Sequence, residues 1–442
     1  MLTASLVDGV TTEVDGNGAA LVRWPWSTDA ARDSGGSLEP GSSHALGSAA
    51  DDVTVQDLIP ARLCAVRGRG WLEVSERAQG GELLYTSTVD GRGAAYVHGD
   101  GFGPEVHARW RGGAVLLESA ASENRVQVFA GGLATALLSV VHRPSDPGGP
   151  RPTGPLLRVL DECARAGFMT HLSAVDGPGA GGVSAAGFQF HERLFHRRSR
   201  LTAADRLGID FGATHAGSRT GPAPKLGICP ARQYSPLPSG RVLADERLED
   251  ALHRRRSVRE FDMDRVLSLS DIGALFDHTV RYMATGVNSR GCETARRAVP
   301  AASGLHELEV YLLSEHTELP RGLYHYDPYE HALGLVSDPK EPYHSRLLGV
   351  AGRLTSAHGA IPAMVVVTSR FDRIAWKYSS IGYALSLMHF GALIEAFQLV
   401  GASLGLGMCP VGTSPVDEFA EYAGLDPAVE ASIGELTLGL RR

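Results

Sequence analysis

The sequence predicts a protein that ends in an α+β domain and begins with smaller β-rich modules. With 442 residues, 43% hydrophobic and 21% charged, the chain is long enough for about two or three domains with buried cores. Before residue 145, short β-type stretches alternate with Gly-rich turns; after residue 243, helical and β-type patterns mix without a regular βαβ order. We therefore expect an α+β C-terminal domain rather than a Rossmann-type sheet.

Charge and cysteine usage exclude several classes of protein. The formal net charge of -8 gives no general attraction to nucleic acid, so a polyanion would need a local basic cluster. The five cysteines are scattered without CxxC or Cys/His ligand spacing, which disfavours a zinc site and a disulfide framework. The N-terminus lacks a basic segment followed by an apolar one, and we expect no membrane span. A cytoplasmic protein without a metal fits these observations.

The N-terminal region predicts a β-rich module over residues 1–145, a candidate for peptide recognition. Its strand-type stretches are 70–74, 95–97 and 114–117. Because basic and acidic residues are interspersed throughout this region, we do not expect it to bind DNA.

A Pro- and Gly-rich break at 144–150 separates this module from a second one, which we place at 146–211. Apolar residues recur at helical spacing over 156–168, and Gly167 stands where a helix C-cap would be. A helix followed by a strand-like pair is typical of a winged-helix unit, although an ordinary helix on a sheet fits equally well. Residues 212–242 are rich in Gly, Pro, Ser and Thr and predict a linker before the domain at 243–442.

The C-terminal domain is expected to contain a buried helix followed by short elements. The apolar run 381–399 is too apolar on most faces for a surface helix, and His389 is one of its few polar residues. The predicted elements in order are helices 248–256 and 269–280, strand 308–313, a hairpin at 327–328, helix 345–351, strand 364–367, helix 377–400, helix 416–422 and strand 436–440.

A basic cluster lies at the end of the first of these helices. Arg255 or Arg256, with Ser257 and Arg259, could converge on a phosphate through charge-assisted hydrogen bonds. The alternative is that these arginines complement the helix dipole and face solvent.

Lys377 and Tyr378 place an amine beside a phenol at the front of the long apolar run. With a phosphate-type cluster in the same domain, this pair suggests proton transfer beside a phosphorylated cofactor. A free lysine titrates at a pKa of about 10.4 and a free tyrosine at about 10, so either would need burial or a neighbouring charge to act as a base. Sequence does not decide which of the two is the base, and an ordinary amphipathic helix start is the simpler interpretation. Asp372 and Arg373 either orient the pair or form an exposed salt bridge.

Four motifs, in order, resemble a known family. RRRSVREF at 254–261 resembles the flavin-phosphate motif that opens the nitroreductase fold. Residues 297–311 and 322–327 resemble the SagB-type dehydrogenases, the FMN-dependent azoline oxidases that act on thiazole- and oxazole-modified peptides. Residues 190–200 resemble the segment that these proteins carry before the flavin domain.

The resemblance implies an FMN site in a nitroreductase-like domain. Basic residues near the C-terminus would add charge to the phosphate site, and a glycine-bearing segment would close over the flavin. The family usually has Ser after the proline of the ring-lining loop and Gly two positions later, whereas this chain has Ala301 and Ser303. The residues so implied to bind FMN are Arg255, Arg256, Ser257, Arg259, Pro300, Ala301, Ala302, Ser303, Gly304, Leu305, Gly405, Leu406, Gly407, Val411, Gly412 and Arg441.

The resemblance also implies the chemistry and the partners. Lys377 and Tyr378 match the catalytic pair of the azoline oxidases, in which a hydride goes to flavin and a proton to a protein base. The substrate would be an azoline-containing precursor peptide, a cyclodehydratase the partner, and the protein a homodimer. The N-terminal half would bind a leader peptide by β-augmentation. Two alternatives remain: an NAD(P)H-dependent nitroreductase or flavin reductase, and a flavin-free scaffold that presents peptides to a cyclodehydratase.

Overall fold

The computed structural model describes most of the C-terminal half and separate parts of the N-terminal half. The described residues are 2–6, 11–14, 20–23, 31–32, 44–46, 72–77, 83–88, 101–102, 106–111, 113–119, 125–141, 154–166, 168–170, 189–200, 234–243, 247–288, 291–378 and 381–442. The chain divides into two compact units, Met1–Phe211 and Gly212–Arg442.

The N-terminal unit contains an antiparallel sheet of seven strands in the order β5-β1-β6-β7-β11-β10-β9. A three-stranded sheet β2-β3-β4 and a two-stranded sheet β8-β12 complete it. The predicted strands at 70–74 and 114–117 correspond to β6 and β10, while 95–97 lies outside the described residues. The strands are β1 Leu2–Leu6, β2 Thr11–Val14, β3 Ala20–Arg23, β4 Ala31–Arg32, β5 His44–Leu46, β6 Leu72–Arg77, β7 Leu83–Thr88, β8 Gly101–Phe102, β9 Val106–Arg111, β10 Ala114–Ser119, β11 Arg125–Val128 and β12 Met169–Thr170.

Three helices of this unit are described: α1 Gly131–Val141, α2 Gly154–Arg165 and α3 Phe190–Arg198. Helix α2 lies against strands β7 and β11 and against α1. Its Val159 and Cys163 are fully buried.

The C-terminal unit is built on a second antiparallel sheet of seven strands, in the order β13-β18-β17-β16-β19-β21-β20. A hairpin of β14 and β15 stands apart from it. Edge strand β13 lies within the predicted linker, so the last part of that segment belongs to the sheet. The strands are β13 Tyr234–Pro236, β14 Ala284–Val287, β15 Glu293–Arg296, β16 Leu308–Ser314, β17 Gly322–Asp327, β18 Ala332–Ser337, β19 Ala363–Arg370, β20 Leu406–Val411 and β21 Glu430–Leu440.

The helices agree with the predicted order, with one difference that bears on function. Helix α8 begins at Gly382, not at Lys377, so Lys377 and Tyr378 lie in the connection after α7. The helices are α4 Leu248–Arg254, α5 Leu269–Asp277, α6 Tyr343–Thr355, α7 Phe371–Ala375, α8 Gly382–Ser403 and α9 Val416–Ala423.

Alternate residues of the central strands enter two different cores, which makes this unit a three-layer sandwich. Val310 and Leu312 of β16 pack with α5 and α8 on one face of the sheet. Tyr311 and Leu313 pack with α6 and α9 on the other face. Because side chains alternate along a strand, both sets of β16 side chains are buried, the polar Glu309 and Ser314 included. This mixed α+β domain is the fold class predicted from the sequence.

By length and composition alone, helix α8 could cross a membrane. This differs from the expectation that the chain has no such segment. Its Phe390, Leu393 and Phe397 are buried in the core beside the sheet. A central core helix passes the same test of hydropathy.

The ring of Phe390 packs directly against Gly434, where there is no side chain. Gly434 lies on β21 beside a register shift opposite Val367 and Thr368. A Cβ at Gly434 would stand 2.1 Å from two atoms of the Phe390 ring. Helix α8 can therefore approach the sheet closely only where this residue is glycine.

We expect Gly434→Ala to lower the free energy of unfolding by about 1–3 kcal/mol, because the added methyl group overpacks the contact with Phe390. Denaturant titration followed by circular dichroism measures the change. The matched control is Gly349→Ala on α6, where the new Cβ would meet only the tip of Arg353 at 3.6 Å. Alanine is the better helix former, so this control is expected to gain up to about 1 kcal/mol; equal effects in the two variants would contradict the proposed contact.

Candidate functional site

A strained loop between β15 and β16 forms the centre of the candidate site. It contains a single 3-10 turn, Ala302–Gly304, in which Ser303 has φ 54° and Gly304 has φ 65°. His306 follows with φ 47°. Left-handed backbone at non-glycine residues is unfavourable and persists only when surrounding contacts impose it.

Helix α8 supplies one of these contacts through His389. The Nε2 atom of His389 accepts a hydrogen bond from the Ala302 amide at 2.9 Å. The Nδ1 atom lies 2.7 Å from an oxygen of Glu307, whose side chain is fully buried. Because a backbone amide can only donate, Nε2 is the acceptor, and Nδ1 carries the proton that bonds to Glu307. His389 is thus a buried histidine with both ring nitrogens hydrogen-bonded.

Arg373 of α7 supplies the second contact. Its guanidinium donates to the carbonyl of Leu305, and Nη2 donates to the carbonyl of Glu293 at 2.7 Å. The side chain is 1% exposed, and burial lowers its pKa below the ordinary arginine value. The alternative of an exposed salt bridge is therefore wrong for Arg373, which ties the end of the loop to β15.

The predicted pair meets the loop at Ser303. The amine of Lys377 donates to Ser303 Oγ at 2.5 Å, and this oxygen lies 2.8 Å from the hydroxyl of Tyr378. The Lys377 nitrogen also stands 5.4 Å from the centroid of the Tyr378 ring. Tyr378 packs against a small cluster that includes Leu305, while Ser303 is exposed. The structure thus brings Lys377, Tyr378 and Ser303 into one hydrogen-bonded group at the surface.

The rest of the loop presents small side chains. Pro300 is exposed, and Ala301, Ala302 and Gly304 are half-buried. Leu305, in contrast, is 1% exposed and packs into the cluster beneath the loop. Its backbone, rather than its side chain, remains the candidate for contact with a ligand.

The side chains of the arginine cluster bond to different parts of the domain. Arg255 donates to Gln398 of α8 at 2.7 Å, and Arg259 donates to the carbonyl of Thr355 at the end of α6 at 2.7 Å. These two side chains are tied to helices on opposite faces of the sheet. Ser257 between them is half-buried.

Arg256 belongs to a separate group of positive charges with Arg254 and Arg441. Burial and then the charges of Arg256 and Arg254 lower the pKa of Arg441. The Nε atom of Arg441 donates to the carbonyl of Leu406 at 2.8 Å. Among the described residues, neither Arg256 nor Arg441 forms an ion pair with a carboxylate. Such a group of like charges favours a bound anion.

The glycine-bearing segment 405–412 is a strand over most of its length, not the loop that was expected. Its central residues form β20, paired with β21, and Leu406 and Val411 are buried. A Cβ at Gly407 would stand 2.6 Å from Val258, whose amide donates to the carbonyl of Met408 at 2.9 Å. The lack of a side chain at Gly407 therefore allows Val258, which lies within the arginine cluster, to pack against β20. Only Gly405 and Gly412, at the strand ends, have open space around the Cβ position.

Comparison with known families identifies the domain. Residues 252–440 match the model of the Nitroreductase family. The C-terminal unit carries a nitroreductase family domain. Proteins with this fold are generally flavin-dependent oxidoreductases, and a mixed α+β nitroreductase domain is what the motifs predicted.

Many solved structures are similar to this chain, including the following three. One, from Ralstonia eutropha JMP134 and described as a nitroreductase, is 26% identical, covers 51% of this chain and 96% of its own, and has a TM-score of 0.37. A chain of the E. coli microcin synthetase McbBCD complex with truncated pro-MccB17 bound is 21% identical, with coverages of 56% and 86% and a TM-score of 0.38. A protein described as a nitroreductase, solved with FMN and from Exiguobacterium sibiricum 255-15, is 12% identical, with coverages of 44% and 89% and a TM-score of 0.31. No curated protein matches significantly.

Two residues that organise the site in the nitroreductase domain were not predicted as site residues. Glu307 lies inside a motif quoted for the family resemblance, yet nothing marked its carboxylate as a partner of the helix. Its Oε1 accepts from His389 and, at 3.0 Å, from Ser386, while Oε2 has no hydrogen-bond partner among the described residues. His389 was visible as a polar interruption in an apolar run, which is the signal that could have led to it.

His306 lies below the loop in an environment that excludes its charged form. Its ring is 4% exposed, and burial followed by the positive charge of Arg297 lowers its pKa to about 3. Between about pH 3 and 6.5 the unfolded chain binds a proton here that the folded chain does not. The contribution of His306 to stability is therefore lost progressively as the pH falls through 6.5.

We expect the free energy of unfolding to fall by about 2 kcal/mol from this residue between pH 6.5 and 5. His306→Asn should lack this contribution, since asparagine does not titrate there and tolerates the positive φ. Denaturant titration of both proteins across this pH range measures the difference in slope. The exposed His358 supplies the control, and His358→Asn should keep the wild-type slope. A wild-type slope in His306→Asn would contradict the assignment.

Proposed function

We propose that this chain is an FMN-dependent dehydrogenase that oxidises thiazolines or oxazolines in a ribosomally made peptide to thiazoles or oxazoles. The observation that supports the proposal is the hydrogen-bonded group of Lys377, Tyr378 and Ser303 at the edge of the small-residue loop. A reductase that only passes hydride has no need for a protein base at this place. Oxidation of an azoline removes a proton as well as a hydride, and so it needs one.

The residues present fit an FMN molecule. A flat ring requires a wall without bulky side chains, and Pro300 to Gly304 provide one. A phosphate requires cations that are not neutralised by carboxylates, and Arg256 and Arg441 meet this condition among the described residues. When bound, FMN would supply the acceptor for the hydride of the azoline ring.

The chain's own residues would orient the heterocycle and receive its proton. Lys377 and Tyr378 are only partly buried, so a peptide segment can reach them from solvent. The bonds from His389 and Arg373 hold the loop in place, which keeps Ser303 within hydrogen-bond distance of both side chains. Preorganised groups of this kind lower the barrier by fixing orientation before reaction.

The remaining partners belong to the same proposal. We propose a homodimer that uses the exposed side of α8, where Met388, Gly391 and Glu395 lie on one face and Met388 is 50% exposed. The peptide would come from a cyclodehydratase, and residues 1–145 would bind its leader segment. An edge strand can accept such a segment through backbone hydrogen bonds.

Incubation with a heterocyclised peptide should remove about two mass units per ring, for the two hydrogens lost. Lys377→Ala and Tyr378→Phe should each slow this reaction by about 100-fold or more, because the proton acceptor is lost, while bound FMN is retained. Mass spectrometry of the peptide and flavin absorbance of the protein measure the two quantities.

The chain contains a matched control pair. Lys340 stands 5.0 Å from the ring centroid of Tyr343 on the other side of the sheet, in the same type of contact as Lys377 and Tyr378. Lys340→Ala and Tyr343→Phe should leave oxidation unchanged. Flavin bleaching by NAD(P)H without peptide oxidation would favour the reductase alternative, and a colourless protein would favour the scaffold.

Arg256→Ala should lower FMN affinity by about tenfold, because a charge-assisted hydrogen bond to a phosphate contributes about 1.5–3 kcal/mol. Titration of the apoprotein with FMN, followed by flavin fluorescence, measures the affinity. Arg265 pairs with Asp262 on the surface and provides the control, so Arg265→Ala should bind FMN as the wild type does. Unchanged affinity in Arg256→Ala would place the phosphate elsewhere.

A further inference from the structure

Ser303 occupies a position that disfavours serine. Its backbone has φ 54° and ψ 21°, where glycine would be unstrained. The side chain is exposed, so it contributes no core packing that would explain its presence. What it does contribute is one hydroxyl oxygen placed between the amine of Lys377 and the hydroxyl of Tyr378.

The geometry makes this hydroxyl the connection between the two side chains. The amine is 2.5 Å from Ser303 Oγ, and Oγ is 2.8 Å from the phenolic oxygen. The same amine stands 5.4 Å from the centroid of the Tyr378 ring. A hydroxyl can donate one hydrogen bond while it accepts another, which is the requirement for passing a proton between two neighbours.

We infer that Ser303 is a proton relay between Tyr378 and Lys377, an inference that rests on the proposed azoline oxidation. In the structure Nζ of Lys377 donates to Ser303 Oγ, so the relay begins when Lys377, as a neutral amine, turns its lone pair toward the serine hydroxyl. The phenolic proton of Tyr378 then passes to Ser303 Oγ as the serine proton passes to Nζ of Lys377. One O–H bond breaks and one forms at the serine, so the serine is unchanged, and the products are a phenolate and an ammonium group. Ser303 therefore completes the base that neither partner provides alone.

The relay also accounts for the proton of the substrate. The phenolate oxygen of Tyr378 takes the proton from the ring carbon, while the two electrons leave with the hydride for the bound flavin. This step regenerates the phenol. The ammonium group of Lys377 is partly exposed and returns its extra proton to water, which leaves all three side chains as they began. In this scheme Tyr378 is the base and Lys377 stores its proton.

The test compares Ser303→Ala with the wild type in a single-turnover experiment. Both proteins are loaded with FMN and then mixed with a heterocyclised peptide. The relay predicts that oxidation slows by about 10- to 100-fold with FMN affinity within about twofold of wild type. It also predicts that the wild-type rate curves downward with the deuterium fraction of the solvent, since more than one proton moves. The rate of Ser303→Ala should not depend on the deuterium fraction, because the carbon-bound substrate proton does not exchange with solvent and then moves alone.

A second pair of variants separates the relay from backbone strain. Ser356 ends α6 with φ 53°, nearly the same backbone conformation as Ser303, and lies on the other face of the sheet. Ser356→Gly and Ser303→Gly should both raise the midpoint of thermal unfolding of the apoprotein, by about 2–4 °C, since both relieve a positive φ. Only Ser303→Gly should lose oxidation, and to the same extent as Ser303→Ala.

The outcomes distinguish this inference from the function on which it rests. If the wild type removes two hydrogens per ring and Ser303→Ala does so at the same rate, the relay is overturned and the proposed function stands. If FMN affinity falls in parallel with the rate, Ser303 is a cofactor contact and the relay is overturned as well. If the wild type removes no hydrogen, the proposed function fails, and the relay fails with it.

Discussion

The hydrogen bond from the Ala302 amide to His389 is the interaction on which the rest of the site depends. It joins a loop of unfavourable backbone conformation to the central helix of the domain. His389 is in turn fixed by Glu307, which belongs to the chain that leads from the same loop into β16. The loop and the helix therefore hold each other, and a residue such as Ser303 can remain in a left-handed conformation at a definite place.

Two further features follow from this arrangement. Arg373 and Arg297 carry buried positive charge beneath the loop, and each donates to a backbone carbonyl, at Glu293 and at Leu308 respectively. Buried cations that are hydrogen-bonded in this way avoid the cost of isolation, yet they disfavour a second charge nearby. The depressed pKa of His306 is one result. Buried arginines therefore lie beneath the loop, while Lys377, Tyr378 and Ser303 remain in contact with solvent.

Much of this domain could be predicted because its signals are local. The strand at 308–313 is apolar except for Glu309, and β16 proved to be buried on both faces. The helix at 416–422 and the hairpin at 327–328 followed from periodicity and turn residues, and α9 and the β17-β18 pair confirmed them. The glycines at 405–412 do not distinguish a loop from a strand when only the sequence is read. Gly407 lies in a strand, and it is glycine because Val258 packs against its Cα.

Other features depend on distances that no local pattern records. Lys377 and Tyr378 are neighbours in the chain, but they meet through Ser303, which is 74 and 75 positions away. The separation of Arg255 from Arg259 likewise depends on which helices lie on each face of the sheet.

The sequence by itself determined the class of fold, the position of the nitroreductase domain and the residue types available for binding and proton transfer. These properties depend on side-chain chemistry and on spacing within a few residues. The tertiary structure alone decided which hydroxyl joins the lysine to the tyrosine, which helices the arginines bond to, and how a strained loop is held. Those properties arise when segments distant in the chain pack against one sheet, because hydrogen bonds act only over about 3 Å and are set by that packing.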